Sequence, residues 1–97
     1  MIIYLSGPIT NVVDYKQKFA EAEETMKKRI PCAKIINPAK VVLPSNAEYD
    51  DYMNIDFMLL DLADMICMLP GWECSKGACM EYGYAKARDL IFFEMDS

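Results

Sequence analysis

The stretch "DMICMLPGWECSKGACMEYGYAKA", Asp64–Ala87, runs from an apolar segment through a Pro-Gly break and a Ser-x-Gly turn into a helix-forming segment. A short continuous apolar run is the pattern of a strand buried on both faces. Serine at the turn is a good helix N-cap, and the alanines beyond it favour a helix. The same strand-then-helix order recurs upstream. "MIIYLS" (Met1–Ser6) reads as a first strand rather than a signal peptide, having no basic leader and breaking at Gly7-Pro8. "VDYKQKFAEAEETMKKRI" (Val13–Ile30) reads as a helix with Asp14 as its cap and a basic last turn. "AKIIN" (Ala33–Asn37) is a second strand stopped by Asn37-Pro38, and a loop through Pro44, Ser45 and Asn46 leads to a helix over Tyr49–Leu62. "DMICMLP" is then the third strand, Ser75–Arg88 the third helix and "LIFF" (Leu90–Phe93) the last strand.

Strands alternating with helices predict a parallel sheet with right-handed crossovers. The expected architecture is a three-layer α/β domain, Rossmann-like or flavodoxin-like, with about four strands flanked by helices. The 97 residues are read as one domain. In such sheets ligands sit beyond the carboxyl ends of the strands. That rim carries Ser6-Gly7-Pro8, Asn37-Pro38 and Pro70–Gly77.

Composition narrows the partners. A net charge of −5 argues against a nucleic-acid polymer, which needs a basic footprint, but leaves room for a single nucleotide. No apolar run approaches a membrane span. At 54% hydrophobic the chain is rich in apolar residues for its size, which predicts a homo-oligomer, a dimer or higher. Ile55, Met58 and Leu62 would lie on a face of the second helix that another subunit covers. Four cysteines lack C-x-x-C spacing and histidine is absent, so neither a metal site nor a Cys-His or Ser-His pair is expected, and no cofactor. Cys32, Cys67, Cys74 and Cys79 read as small core residues in a reducing cytoplasm.

Two carboxylates stand out. Glu81 has Gly77 and Ala78 one turn before it and Tyr84 and Ala85 one turn after, so no Lys or Arg pairs with it on the helix. It is either a solvated helix residue or a group used by a ligand. Asp56 lies among Tyr52, Met53, Leu59 and Leu60, an apolar stripe that would desolvate it and raise its pKa; otherwise it caps a nearby loop from the stripe's edge. Ser75 and Gly77 open the third helix, where an N-cap and an anion site share one geometry. Tyr4 is a core aromatic or faces the rim. Trp72 stacks on a flat ligand or fills an interface. Asn37 reaches a ligand or makes its turn.

The segments "IYLSGPIT", "NIDFMLLDLADMICML" and "SKGACMEYGYAKA", in this order and spacing, resemble the nucleoside 2-deoxyribosyltransferase superfamily. The likeness covers Met1 to Phe93 and extends to the deoxynucleoside 5′-monophosphate N-glycosidases. It is nearest to small phage- and bacteria-type chains that begin "YLSGP" and contain "LPGWE-x-S-x-G-A". The resemblance implies cleavage or transfer at an N-glycosidic bond without a cofactor or metal. Glu81 would attack C1′ to form a covalent deoxyribosyl-enzyme, and Asp56 would protonate or hold the departing base. Tyr4 would orient the nucleophile, and Ser75 and Gly77 would hold a 5′-phosphate, with Ser6, Gly7, Asn37 and Trp72 the other rim residues expected to meet the substrate. On this view Glu81 is ionised and unencumbered, facing the pocket. Where the phosphate-binding branch carries an arginine soon after its first glycine, this chain reads Gly7-Pro8-Ile9-Thr10-Asn11. Relative to the family it stops at "FFEMDS", short of a further strand and C-terminal helix, and in the transferases a neighbouring subunit's C-terminal region helps complete the site. The alternative function is a nucleotide-binding or sensing module with the same pocket and no turnover.

Overall fold

A computed structural model of the protein describes residues 1–96. Four strands, β1 (Ile2–Ser6), β2 (Lys34–Ile36), β3 (Met65–Met68) and β4 (Ile91–Glu94), form one parallel sheet in the order β2-β1-β3-β4. Three α-helices alternate with them: α1 (Tyr15–Arg29), α2 (Tyr49–Leu60) and α3 (Lys76–Ala87). The flavodoxin-like α/β class expected from the sequence is the class observed.

Side-chain alternation along β1 sorts the two faces. Ile3 and Leu5 point to α1 and pack with Phe19, Ala22, Met26 and Cys67. Tyr4 and Ser6 point the other way, to the side where Leu60 of α2 and Ala78 and Ala85 of α3 pack on Ile66 and Met68. Burying each of the large apolar side chains stabilises the fold by about 1.5–3 kcal/mol. Summed over such a core, that is enough to offset the desolvation of a few polar groups on the second face.

Several boundaries differ from expectation for local reasons. Helix α2 stops at Leu60, not Leu62, because the chain turns there and the Asp64 N–H bonds the Ile2 carbonyl at 2.8 Å. Helix α3 is flanked by Ser75 and Arg88 as caps, and Ser75 Oγ accepts the Ala78 N–H at 3.2 Å. Asp14 occupies the N-cap position of α1, as expected, but its side chain makes no capping bond; its carboxylate is 3.7 Å from the Lys18 ammonium. Only Cys67 is a core residue, while Cys32, Cys74 and Cys79 are exposed and all four are free thiols. The sequence reading had buried all four. The three exceptions lie in turns or on an outer helix face, where smallness does not imply burial.

The direction of the β1→β2 and β1→β3 steps reverses between β1 and β3, their registered pair ending at Ser6 and Met68. A crevice opens beyond the carboxyl ends of strands at such a switch point. Gly7 continues β1 into it. A Cβ there would lie 2.8 Å from Leu69 Cβ, so only glycine lets the two chain segments leave the sheet side by side.

Candidate active site

At the switch point lies a cavity of about 910 Å³. Its walls come from the loop after β1 (Gly7 to Val12), the start of α1, the segment Pro38–Val42, one face of α2 and the first turns of α3. Glu81 and Asp56 both reach it.

Glu81 is 5% exposed and held from below by β1. The Tyr4 hydroxyl donates to Oε2 at 2.7 Å and the Ser6 hydroxyl donates to Oε1 at 2.6 Å. The clamp follows from strand geometry, since residues 4 and 6 share a face and α3 crosses over it. The expectation of an unencumbered carboxylate is therefore corrected: Glu81 lacks an ionic partner but has two hydroxyl donors. Tyr4, itself fully buried, is both a core aromatic and one of those donors.

Asp56 adjoins Glu81 and Tyr4 from α2 and is 8% exposed. Burial pushes its carboxyl above the usual aspartate range, while Glu81 and Tyr4 pull it back. Glu81 is pushed up to about 8, first by burial and then by Asp56, against the lowering effect of the Ser6 and Tyr4 hydroxyls. The Tyr4 phenol is driven upward by burial and by the two carboxylates. Two adjacent, largely buried acids do not both ionise easily, so the pair holds about one proton near neutrality. That arrangement supplies a carboxylate and a carboxylic acid side by side.

The remaining predicted residues divide. Gly7, Ser75 and Gly77 line the cavity with Asp56 and Glu81. Ser6 and Tyr4 lie behind Glu81. Asn37 and Trp72 are not among the lining residues. Asn37 is buried as the N-cap of a short 3₁₀ turn, accepting the Ala39 N–H at 3.0 Å and donating to Glu23 Oε1 at 3.2 Å. Trp72 turns toward the sheet edge, where its indole N–H donates to Glu94 at 2.7 Å and its ring packs on Tyr82 and Phe92. Both were placed on the correct rim, and both are committed elsewhere.

Sequence reasoning missed Tyr15, Lys16, Tyr49, Tyr52 and Lys76, all of which line the cavity. Lys16 and Lys76 form no salt bridge among the described residues, whose bridges use Lys18, Lys27, Lys40 and Arg88. Their positions, second in α1 and first in α3, were the available signal: first-turn cations oppose the helix dipole and ask for a reason.

The fold has a solved counterpart in a 2-desoxiribosyltransferase from Leishmania mexicana, with a TM-score of 0.70 and 20% identity. That match covers 99% of this chain and 65% of the Leishmania protein, so the chain spans just under two thirds of its counterpart's length. At this identity the likeness is one of fold. No curated protein matches the sequence. Residues 1–92 match the family described as "Domain of unknown function (DUF4406)", and the chain belongs to that family.

Proposed function

We propose that this protein cleaves, or transfers at, the N-glycosidic bond of a 2-deoxynucleoside or its 5′-monophosphate, with Glu81 as nucleophile. The observation that carries the reading is the buried Glu81 carboxyl, clamped by Tyr4 and Ser6 and paired with Asp56, at the inner end of a large cavity. The fold shared with a deoxyribosyltransferase supports it.

In the proposed reaction the proton of the pair resides on Asp56 when substrate is bound, leaving Glu81 ionised between its two hydroxyl donors. A Glu81 oxygen forms a bond to C1′ as the C1′–N bond breaks, and the base leaves with that bond's electron pair and the Asp56 proton. Water or a second base then attacks C1′ and releases Glu81, returning a proton to the pair. This is carboxylate nucleophilic catalysis of the retaining-glycosidase kind. Ser75 and Gly77 would hold a 5′-phosphate at the first turn of α3, and Lys16 and Lys76, which line the same cavity, favour the monophosphate as substrate.

Incubation with a panel of nucleosides and 5′-monophosphates, with free base separated by chromatography, tests the activity. Wild type should release base and Glu81→Ala should not, while still binding the ligand. Denaturing mass spectrometry during turnover should show the chain heavier by one deoxyribosyl group. A Glu81→Ala variant that releases base at the wild-type rate refutes the mechanism. The raised pKa of Glu81 favours one second reading, a sensing module in which the protonated member of the acid pair donates a hydrogen bond to a ligand. That module would bind the panel compounds and release nothing.

A further inference from the structure

Tyr49 is the first residue of α2 and lines the cavity opposite the start of α3. A Cβ on Gly77 would lie 2.9 Å from the Tyr49 hydroxyl, so the phenol rests directly on the first turn of α3 in space only glycine leaves open. Glu81 stands one turn further along the same face of that helix. Burial raises the Tyr49 pKa, and the charges of Glu81 and then Asp56 raise it further. The hydroxyl therefore stays protonated through the neutral range. Among the described residues, Tyr4 and Tyr84 are the tyrosines whose hydroxyls bond a protein group. The Tyr49 hydroxyl keeps its hydrogen-bonding capacity for whatever enters.

We propose that Tyr49 is a specificity-determining residue of the site, its hydroxyl bonding the ring hydroxyl of the sugar whose anomeric carbon faces Glu81. The inference rests on the function proposed above and names what that function selects. A ligand with C1′ at Glu81 and its 5′ substituent at the start of α3 must lay its ring across the turn of α3 that separates them. The Tyr49 hydroxyl sits over that turn. In a 2-deoxyribose the only hydroxyl carried by a ring carbon, apart from the anomeric position, is at C3′. Gly77 on this view is a glycine because the reader needs the space.

The test compares the 2′-deoxynucleotide turned over fastest with its 2′,3′-dideoxy counterpart. Wild type should prefer the hydroxyl-bearing substrate by about tenfold in kcat/KM, the worth of one good hydrogen bond. Tyr49→Phe should lower the rate on that substrate to the dideoxy level and leave the dideoxy rate unchanged. Gly77→Ala keeps the hydroxyl but pushes it aside, and should lose the same preference without losing thermal stability. Retention of the full preference in Tyr49→Phe, or equal slowing of both substrates, overturns the proposal while leaving the activity standing. If wild type releases no base from any compound, the activity itself fails. Calorimetric titration with the same two compounds then decides about Tyr49: a preference absent from wild type, or kept in Tyr49→Phe, overturns it, and one lost in the variant sustains it.

Discussion

Replacing Glu81 by glutamine should make the protein more stable at pH 8 and nearly unchanged in stability below pH 4.5. The sign follows from linkage. The folded-state pKa of Glu81, about 8, lies above its ordinary value of 4.5, so the folded state binds more protons across that interval. Stability therefore falls as pH rises from 4.5, and the full penalty is reached once pH passes 8. At about 1.4 kcal/mol per pH unit, the interval corresponds to a penalty on the order of 4–5 kcal/mol. Against a typical domain stability of about 5–15 kcal/mol, that is a large fraction. Glutamine keeps the size, accepts from one of the Tyr4 and Ser6 hydroxyls and removes the charge. Urea unfolding of both proteins at a series of pH values from 4 to 9 (about one per unit) measures the difference, with equal slopes confirming that compactness is unchanged. A gap that opens between pH 4.5 and 8 is the expected result. Parallel pH profiles, or a glutamine variant less stable than wild type at pH 8, would mean that the clamp stabilises the ion more than burial penalises it.

Three further outcomes are expected. Asp56→Asn should slow release of natural bases by about 10²–10⁴-fold but spare a p-nitrophenyl-type deoxyriboside whose leaving group needs no proton; equal slowing of both would make Asp56 a positioning residue. Glu23, held down at about 2 chiefly by Lys27 and also by Asn37 and Lys40, contributes stability above pH 4.5 that is lost as pH falls toward 2. Glu23→Gln should cost about 1–2 kcal/mol at pH 7, discounted because the lysines are exposed, and much less at pH 3; a urea-derived gap that ignores pH would refute this. Met58 and Leu62, 68% and 62% exposed on and just past α2, should mediate self-association, so light scattering should show at least a dimer in wild type and a monomer in the Met58→Glu, Leu62→Glu variant. Wild type running as a monomer at micromolar concentration would contradict it.

The sheet was legible because its strands are short apolar runs without alternation, and β1 and β3 are buried on both faces. The rim was legible because Gly7, Pro38 and Ser75 mark where strands and turns end. What escaped was side-chain direction at that rim. Nothing local tells Trp72 to face Glu94, which is 22 residues away, or Asn37 to face Glu23 on α1. Tyr4, read from its residues as a core aromatic and given a role at the nucleophile only by the resemblance, and Ser6, expected to meet the substrate, have their partner 77 and 75 positions later, beyond any local signal. Tyr49 and Lys16 escaped for a related reason: each lies in the first turn of a helix, and that turn could as well face solvent. Asp56 was found because its apolar neighbours recur at helical spacing, a local signal. The rest depends on contacts between distant segments.

The span between β1 and α3 also bears on how the chain is made. The strand that clamps Glu81 lies inside the sheet and is synthesised well before β3 beside it and α3 above it, with β4 following α3. Until α3 has left the ribosome, Tyr4 and Ser6 lack the Glu81 carboxylate, and Glu81 remains hydrated and ionised. The costly desolvation is thus deferred to a late step of folding, when the contacts among β1, β2, β3, α1 and α2 can already be in place. A nascent or C-terminally clipped chain can therefore possess much of the sheet and none of the acid pair. Appearance of the raised carboxyl pKa during translation would time the docking of α3.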